Sequence, residues 1–150
     1  MTMWYNNTPD QVIQSRVLMT DQWKSAGNVH IYRSMKDEVA TNELVEDAYY
    51  KSHKELFFPH SLPHGNPLDI DIVIVPGKLF DHNCNRKGRG GGYYDKYLAL
   101  LNVCKMTYTI GLAYDKQMVE VLDVNEWDMS VDIVITQSRT WCREVSKSVP

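Results

Sequence analysis

Cysteine is scarce in this chain: Cys84, Cys104 and Cys142 are the only three, an odd number with no CxxC spacing. Neither a disulfide framework nor a structural zinc site is expected from them. The five histidines form no HExxH pair, and no serine sits in a GxSxG elbow, so zinc-dependent and acyl-enzyme hydrolysis have no support. The chain has no run of apolar residues long enough to span a bilayer, and its start, MTMWYNNTPDQ, has no basic region followed by an apolar core. The expected compartment is therefore the cytoplasm, without membrane association. Positive charge is not in excess either. The formal net charge of -3 argues against general nucleic-acid binding, which depends on clustered Lys and Arg.

What is present is an alternation of helical and strand-like segments in 150 residues, a length that suits a single domain over 1–150. Val12, Ile13, Val17, Leu18, Met19 and Trp23 recur near helical spacing and predict a helix from Gln11 to about Ser25, ended by Gly27-Asn28. A strand is expected at 29–34. A second helix is expected to run from a Thr41 cap to about Lys51, with Leu44, Val45, Ala48 and Tyr49 as its buried stripe. A short strand at 55–59 stops at Pro59, and SLPHGNP makes a turn-rich connection. DIDIVIV, residues 69–75, has the continuous branched apolar character of a central strand buried on both faces. A helix from about Gly92 to Asn102 follows, lined by Tyr94, Leu98 and Leu101, then strands at 106–114 and 132–137. VEVLDVNEWDMS, between those strands, has too little period to assign and lies where an active-site loop could sit. The pattern predicts a three-layer α/β sandwich with a mostly parallel central sheet flanked by helices.

The segment with most chemical content joins the central strand to the third helix. GRGGGYYD, residues 88–95, places four glycines within five residues ahead of a helix. Glycines let backbone N–H groups converge on an anion, and a helix N-terminus adds its free donors and positive dipole end. Between Asp81 and Lys96 there are four basic side chains, Arg86, Lys87, Arg89 and Lys96, against two acidic ones. A small phosphate-bearing ligand suits this loop better than a long polyanion. A flexible turn with solvated charges fits the same residues, and there is neither a GxxxxGK[ST] loop nor a clean dinucleotide fingerprint. Asp95, in the first helical turn, can serve the helix dipole or help hold Mg²⁺. Glu38 lies just after a predicted strand, where a carboxylate can accept hydrogen bonds from an amino-bearing heterocycle or simply be solvated.

DIVIVPGKLFD at 71–81, followed by NRKGRGGGYYDKYL at 85–98, resembles the signature of the 5-formyltetrahydrofolate cyclo-ligase family. QSRVLMTDQW, YRSMKDEVATNELVEDA, GLAYDKQ and VNEWDMSVDIVIT resemble further family segments in the same order. The resemblance implies ATP- and Mg²⁺-dependent conversion of 5-formyltetrahydrofolate to 5,10-methenyltetrahydrofolate, ADP and phosphate, with the formyl oxygen attacking the γ-phosphoryl group before ring closure. It implies that Gly88, Gly90, Gly91 and Gly92 line the triphosphate. Arg86 and Arg89 would offset its charge, and Tyr93 or Tyr94 would border the meeting point of the two substrates. Asp95 and Asp128 would lie on the Mg²⁺ side, Glu38 would recognise the pterin ring, and Phe80 would pack under a ring or sit in the core. The expected ligands are ATP and 5-formyltetrahydrofolate, and the expected state is a monomer or homodimer. Two departures from the family pattern stand out: the first helix carries only Arg16 where members often have a basic phosphate clamp, and a family segment is expected to be missing near 60–68. That loss favours a second reading, a catalytically weak or inactive nucleotide- or folate-binding protein acting through a partner.

Overall fold

The computed structural model describes residues 7–59, 69–104, 107–126 and 128–144. Its centre is a six-stranded sheet in the order β2-β1-β3-β6-β8-β9, with β1 at Asn28–Ile31, β2 at Glu55–Phe57, β3 at Ile72–Val75, β6 at Tyr108–Leu112, β8 at Ile133–Ile135 and β9 at Thr140–Cys142. All neighbours are parallel except β8 and β9, which run antiparallel. A second sheet in the order β5-β4-β7 joins Leu79–Asp81 (β4), Arg86–Lys87 (β5) and Met118–Val119 (β7).

The alternation along β3 sets the layers. Ile72 and Ile74 pack with Ile13 and Val17 of α1 (Pro9–Leu18), Trp23 of α2 (Asp21–Ser25) and Leu44 of α3 (Asn42–Glu46). Val73 and Val75 face the other way, onto Phe80 and onto Tyr97, Leu98 and Leu101 of α4 (Tyr93–Cys104). All four β3 side chains are buried, as a strand with helices over both faces requires. The expected three-layer α/β architecture is the observed one.

Local departures have local causes. The predicted first helix is two, because Thr20 interrupts it: its Oγ1 donates to the Val17 carbonyl at 2.8 Å and accepts from the Trp23 amide at 3.1 Å, ending one helix and capping the next. Thr41 does not cap α3. Its hydroxyl donates to the Tyr32 carbonyl, and the amides of Glu43 and Leu44 are satisfied by Oε1 of Gln14, a buried side chain on α1. After Glu46 the helix widens into a π turn over Asp47–Lys51, which carries Tyr49 off the expected stripe and leaves it 62% exposed. The chain end contributes β9, a strand beyond the one expected to be last, with Trp141 opposite Val134. The SLPHGNP connection, the segment expected to be missing around it, and Trp127 lie outside the described residues.

Candidate active site

In an open α/β sheet the ligand crevice lies outside the carboxyl ends of the strands. β1, β3 and β6 are adjacent and parallel, so the segments leaving β1 and β3 emerge together at one edge: Tyr32–Glu38 after β1 and Pro76-Gly77 after β3. The β4–β5 hairpin then carries the chain into the glycine loop and α4. A cleft of about 460 Å³ sits among these segments, within the usual size of a small-molecule pocket. Its walls are Glu38, Pro76, Gly77, Arg86 to Asp95, and Asp128.

Fourteen chain positions separated by up to ninety residues are thus gathered by one strand edge, and nearly every sequence-nominated site residue is among them. Phe80 is the exception. It is fully buried beneath the cleft, its ring wedged between two glycines: a Cβ on Gly77 would come within 2.8 Å of the ring and one on Gly111 within 2.6 Å. Of the two readings left open for Phe80, packing under a ring or sitting in the core, its burial and its packing within the cluster of Val73 and Val75 agree with the core one. Pro76 and Gly77, present in the sequence reading only as part of the 71–81 signature, are cleft wall; their place directly after the central strand was the available signal.

Arg86 is the fixed cation of the site. It is 5% exposed, its Nε donates to the Pro76 carbonyl at 2.6 Å, and its guanidinium lies 5.2 Å from the centre of the Tyr94 ring and 3.7 Å from Asp95 Oδ1. Burial lowers its proton affinity, while Asp95, Tyr94, Asp128 and Glu38 act in the opposite direction. An arginine stays charged through such a shift. The adjoining Gly88 has no room for a side chain, since a Cβ there would fall 2.8 Å from Arg86 Nη2.

Beyond Gly88 the loop opens. A Cβ on Gly90 or Gly91 would meet nothing within 4 Å. Gly90 and Gly92 have φ of +107° and +74°, in the region that L side chains disfavour. α4 starts immediately afterwards, so an accessible run of backbone leads into a helix N-terminus. Tyr93 and Tyr94 meet edge to face at 4.9 Å, and Tyr93 stacks on Tyr97 at 5.8 Å. Tyr94 packs against both core clusters, and its buried hydroxyl has no hydrogen-bond partner among the described residues. Burial pushes that phenol far up, with Tyr93 adding to the shift and Arg86 opposing it. It remains a neutral donor at any ordinary pH.

Three carboxylates complete the walls. Glu38 accepts the Met35 amide on Oε1 at 2.8 Å and faces Arg89 Nε across the cleft at 3.7 Å through Oε2. Asp95 Oδ1 accepts the Met129 amide at 3.1 Å, which ties the first turn of α4 to the loop bearing Asp128. Asp128 Oδ2 accepts both the Asn125 amide at 2.9 Å and Lys87 Nζ at 3.0 Å. Those two bonds hold its carboxyl below the ordinary aspartate range.

Among the described residues no three His, Cys, Asp or Glu side chains are gathered into a metal cage. The donor chemistry nonetheless fits Mg²⁺, which commonly takes only one or two carboxylates and draws its other ligands from water and substrate phosphate. Asp95 and Asp128 line the same cleft as the open glycine backbone, which is the combination that mode of binding needs. None of the three described histidines lines the cleft: His30 lies tilted against Tyr97 at 4.7 Å, His82 stacks on Trp141 at 4.3 Å, and His53 has φ +51°; His60 and His64 lie outside the described residues.

Residues 64–137 match the sequence model of the 5-formyltetrahydrofolate cyclo-ligase family, a stretch that contains every cleft residue except Glu38. Over that stretch the chain is similar to this family. It is 42% identical to the 5-formyltetrahydrofolate cyclo-ligase of Escherichia coli (strain K12) over 48% of this chain and 39% of that one. It is 27% identical to the mouse 5-formyltetrahydrofolate cyclo-ligase over 83% of this chain and 80% of that one. In fold it is similar to the NMR structure of Aquifex aeolicus 5,10-methenyltetrahydrofolate synthetase, with a TM-score of 0.76 at 24% identity over all of this chain and 89% of that one. The Mycoplasma pneumoniae 5,10-methenyltetrahydrofolate synthetase gives 0.73 at 23% identity, over 91% and 90% of the two chains. The glycine loop, Arg86, Asp95 and Asp128 therefore lie in the matched stretch, and Glu38 joins them only through the fold.

Proposed function

We propose that the protein is an ATP-dependent 5-formyltetrahydrofolate cyclo-ligase, forming 5,10-methenyltetrahydrofolate, ADP and phosphate. The observation that carries this reading is the convergence on one cleft of an open glycine backbone at a helix N-terminus, three cations and three carboxylates, in a chain similar to this family.

Such a site works by placement and charge neutralisation, because phosphoryl transfer asks for little covalent chemistry from the protein. The N–H groups of Gly90 to Gly92 and the start of α4 would receive the triphosphate. Arg86, immobilised by the Pro76 carbonyl, would supply a stationary positive charge, and Arg89, 48% exposed at its side chain, a movable one. Asp95 and Asp128 would hold Mg²⁺, whose contribution when bound is to neutralise phosphate oxygens and orient them. Glu38 would turn from Arg89 toward the amino-bearing ring of the folate. With its phenol held neutral, Tyr94 would serve as a hydrogen-bond donor and hydrophobic wall between the two substrates rather than as a base.

The test is direct. The purified chain is incubated with 5-formyltetrahydrofolate, ATP and Mg²⁺, and the methenyl product is followed by its absorbance, with Asp95→Asn as control. Turnover in the parent chain with strong loss in Asp95→Asn is expected. A folded, monodisperse chain that binds neither substrate, or binds both without turnover, refutes the enzyme reading. Binding without turnover would leave the partner-dependent binding protein.

A further inference from the structure

Three ion pairs join the cations and carboxylates of the cleft, and they differ in kind. Arg86 and Asp95 are 3.7 Å apart, as are Arg89 and Glu38, whereas Lys87 Nζ and Asp128 Oδ2 are at 3.0 Å, a hydrogen-bonded ion pair. Asp128 is also held from several sides. Its side chain is 11% exposed, the same Oδ2 is bonded to the Asn125 amide, its own amide donates to the Asn125 carbonyl, and the next residue is tied to Asp95.

The lysine is fixed at one end only. Its backbone lies in β5, with the Lys87 carbonyl accepting the Lys78 amide at 2.7 Å and Lys87 opposite Leu79 of β4. Its side chain is 38% exposed and ends in a compact ammonium on a flexible stem. A divalent cation arriving at Asp128 would meet like-charge repulsion from that ammonium. It can be accommodated if the ammonium has another anion to move to, and the backbone of Lys87 leads directly into Gly88 and the glycine loop.

We infer that Lys87 is an exchangeable counter-ion: it occupies Asp128 in the ligand-free cleft and moves to a phosphate oxygen when metal and nucleotide enter together. The inference rests on the ATP-dependent reading above. Metal alone then binds poorly, since Lys87 has nowhere to go, and nucleotide alone leaves Asp128 competing for the lysine. Each ligand strengthens the other, by the same factor in both directions.

The experiment measures Mn²⁺ binding by the loss of its free electron paramagnetic resonance signal. Binding of adenylyl imidodiphosphate, which is not turned over, is measured by calorimetry. Each is determined alone and with the other ligand saturating, for the parent chain, Lys87→Met and Lys87→Arg. Lys87→Met is expected to bind Mn²⁺ alone about threefold more tightly and the nucleotide analogue alone about threefold more weakly, the order set by a partly exposed ion pair. The coupling between the two ligands should shrink accordingly, and Lys87→Arg should keep the weak Mn²⁺ binding of the parent. Mn²⁺ affinity that is unchanged or lower in Lys87→Met overturns the inference while leaving the cyclo-ligase reading intact. A parent chain that binds neither ligand overturns both. Thermal melting of each variant identifies a folding failure, in which case Lys87→Gln replaces Lys87→Met in the same comparison.

Discussion

Changing Gly91 to valine separates what the glycine loop does for the fold from what it does for a ligand. Gly91 is exposed, its φ lies outside the left-handed region, and an added Cβ would meet nothing within 4 Å. The substitution therefore introduces neither clash nor backbone strain. Restricting the unfolded chain should add about 0.4 to 1 kcal/mol of stability, partly offset by the exposed branched side chain. On the proposed function, the same open space is where phosphate would approach the backbone. Losing one charge-assisted N–H contact costs about 1.5 to 3 kcal/mol, or roughly 10- to 150-fold in affinity. Urea unfolding of the free protein and calorimetry with adenylyl imidodiphosphate read the two effects separately. Gly90→Val is the contrasting variant: at φ +107° it should lose about 1 to 3 kcal/mol of stability as well as affinity. If Gly91→Val leaves stability unchanged and keeps analogue affinity within about twofold, the glycine loop does not cradle phosphate and the reasoning fails.

Two further predictions concern the platform under the cleft. Phe80→Ala should cost about 3 to 5 kcal/mol by opening a cavity, and Gly111→Ala about 1 to 3 kcal/mol by overpacking against the same ring. Pairing Gly111→Ala with Phe80→Leu should cost less than the sum of the two single changes in denaturant unfolding, and simple additivity would contradict the wedge. Asp81 is buried and accepts hydrogen bonds from Asn83, Asn85 and Leu122; burial alone would raise its carboxyl, but these bonds together hold it below its ordinary value. Because the folded value is the lower one, its contribution is complete above the unfolded aspartate range near pH 4 and is lost as pH falls through the folded value. The stability gap between the parent and Asp81→Asn should thus be constant from about pH 5 to 7 and narrow below about pH 4, whereas a gap that widens on acidification would reverse the assignment.

The parts of this architecture that could be read in advance are those written in periodicity. β3 announced itself through four consecutive branched apolar residues, and the step from Val75 to Pro76-Gly77 marked its end. The glycines, Arg86, Arg89 and Asp95 were nominated by residue type and spacing and Asp128 through a family resemblance, and they line one cleft because β1, β3 and β6 are neighbours, an order that periodicity does not encode. The small sheet was invisible because its strands are two or three residues long and pair across sequence gaps, as Phe80 with Met118 does. Gln14 was equally silent. Nothing near it signals that a glutamine on α1 will supply the acceptor for two amides at the start of α3. Phe80 was placed ambiguously between substrate and core because its role depends on the absence of side chains at Gly77 and Gly111, which becomes visible only when all three are brought together.

The Gly77–Phe80–Gly111 wedge also bears on how this protein can change over time. A larger residue at either glycine collides with a ring that has nowhere to go, and a smaller residue at Phe80 leaves a hole that neither glycine can fill alone. Single steps away from the present arrangement lead downhill in stability whichever position moves first. The floor of the cleft is thereby held to one depth across generations of drift, and remodelling it for a different substrate would have to proceed through linked replacements on β4 and β6.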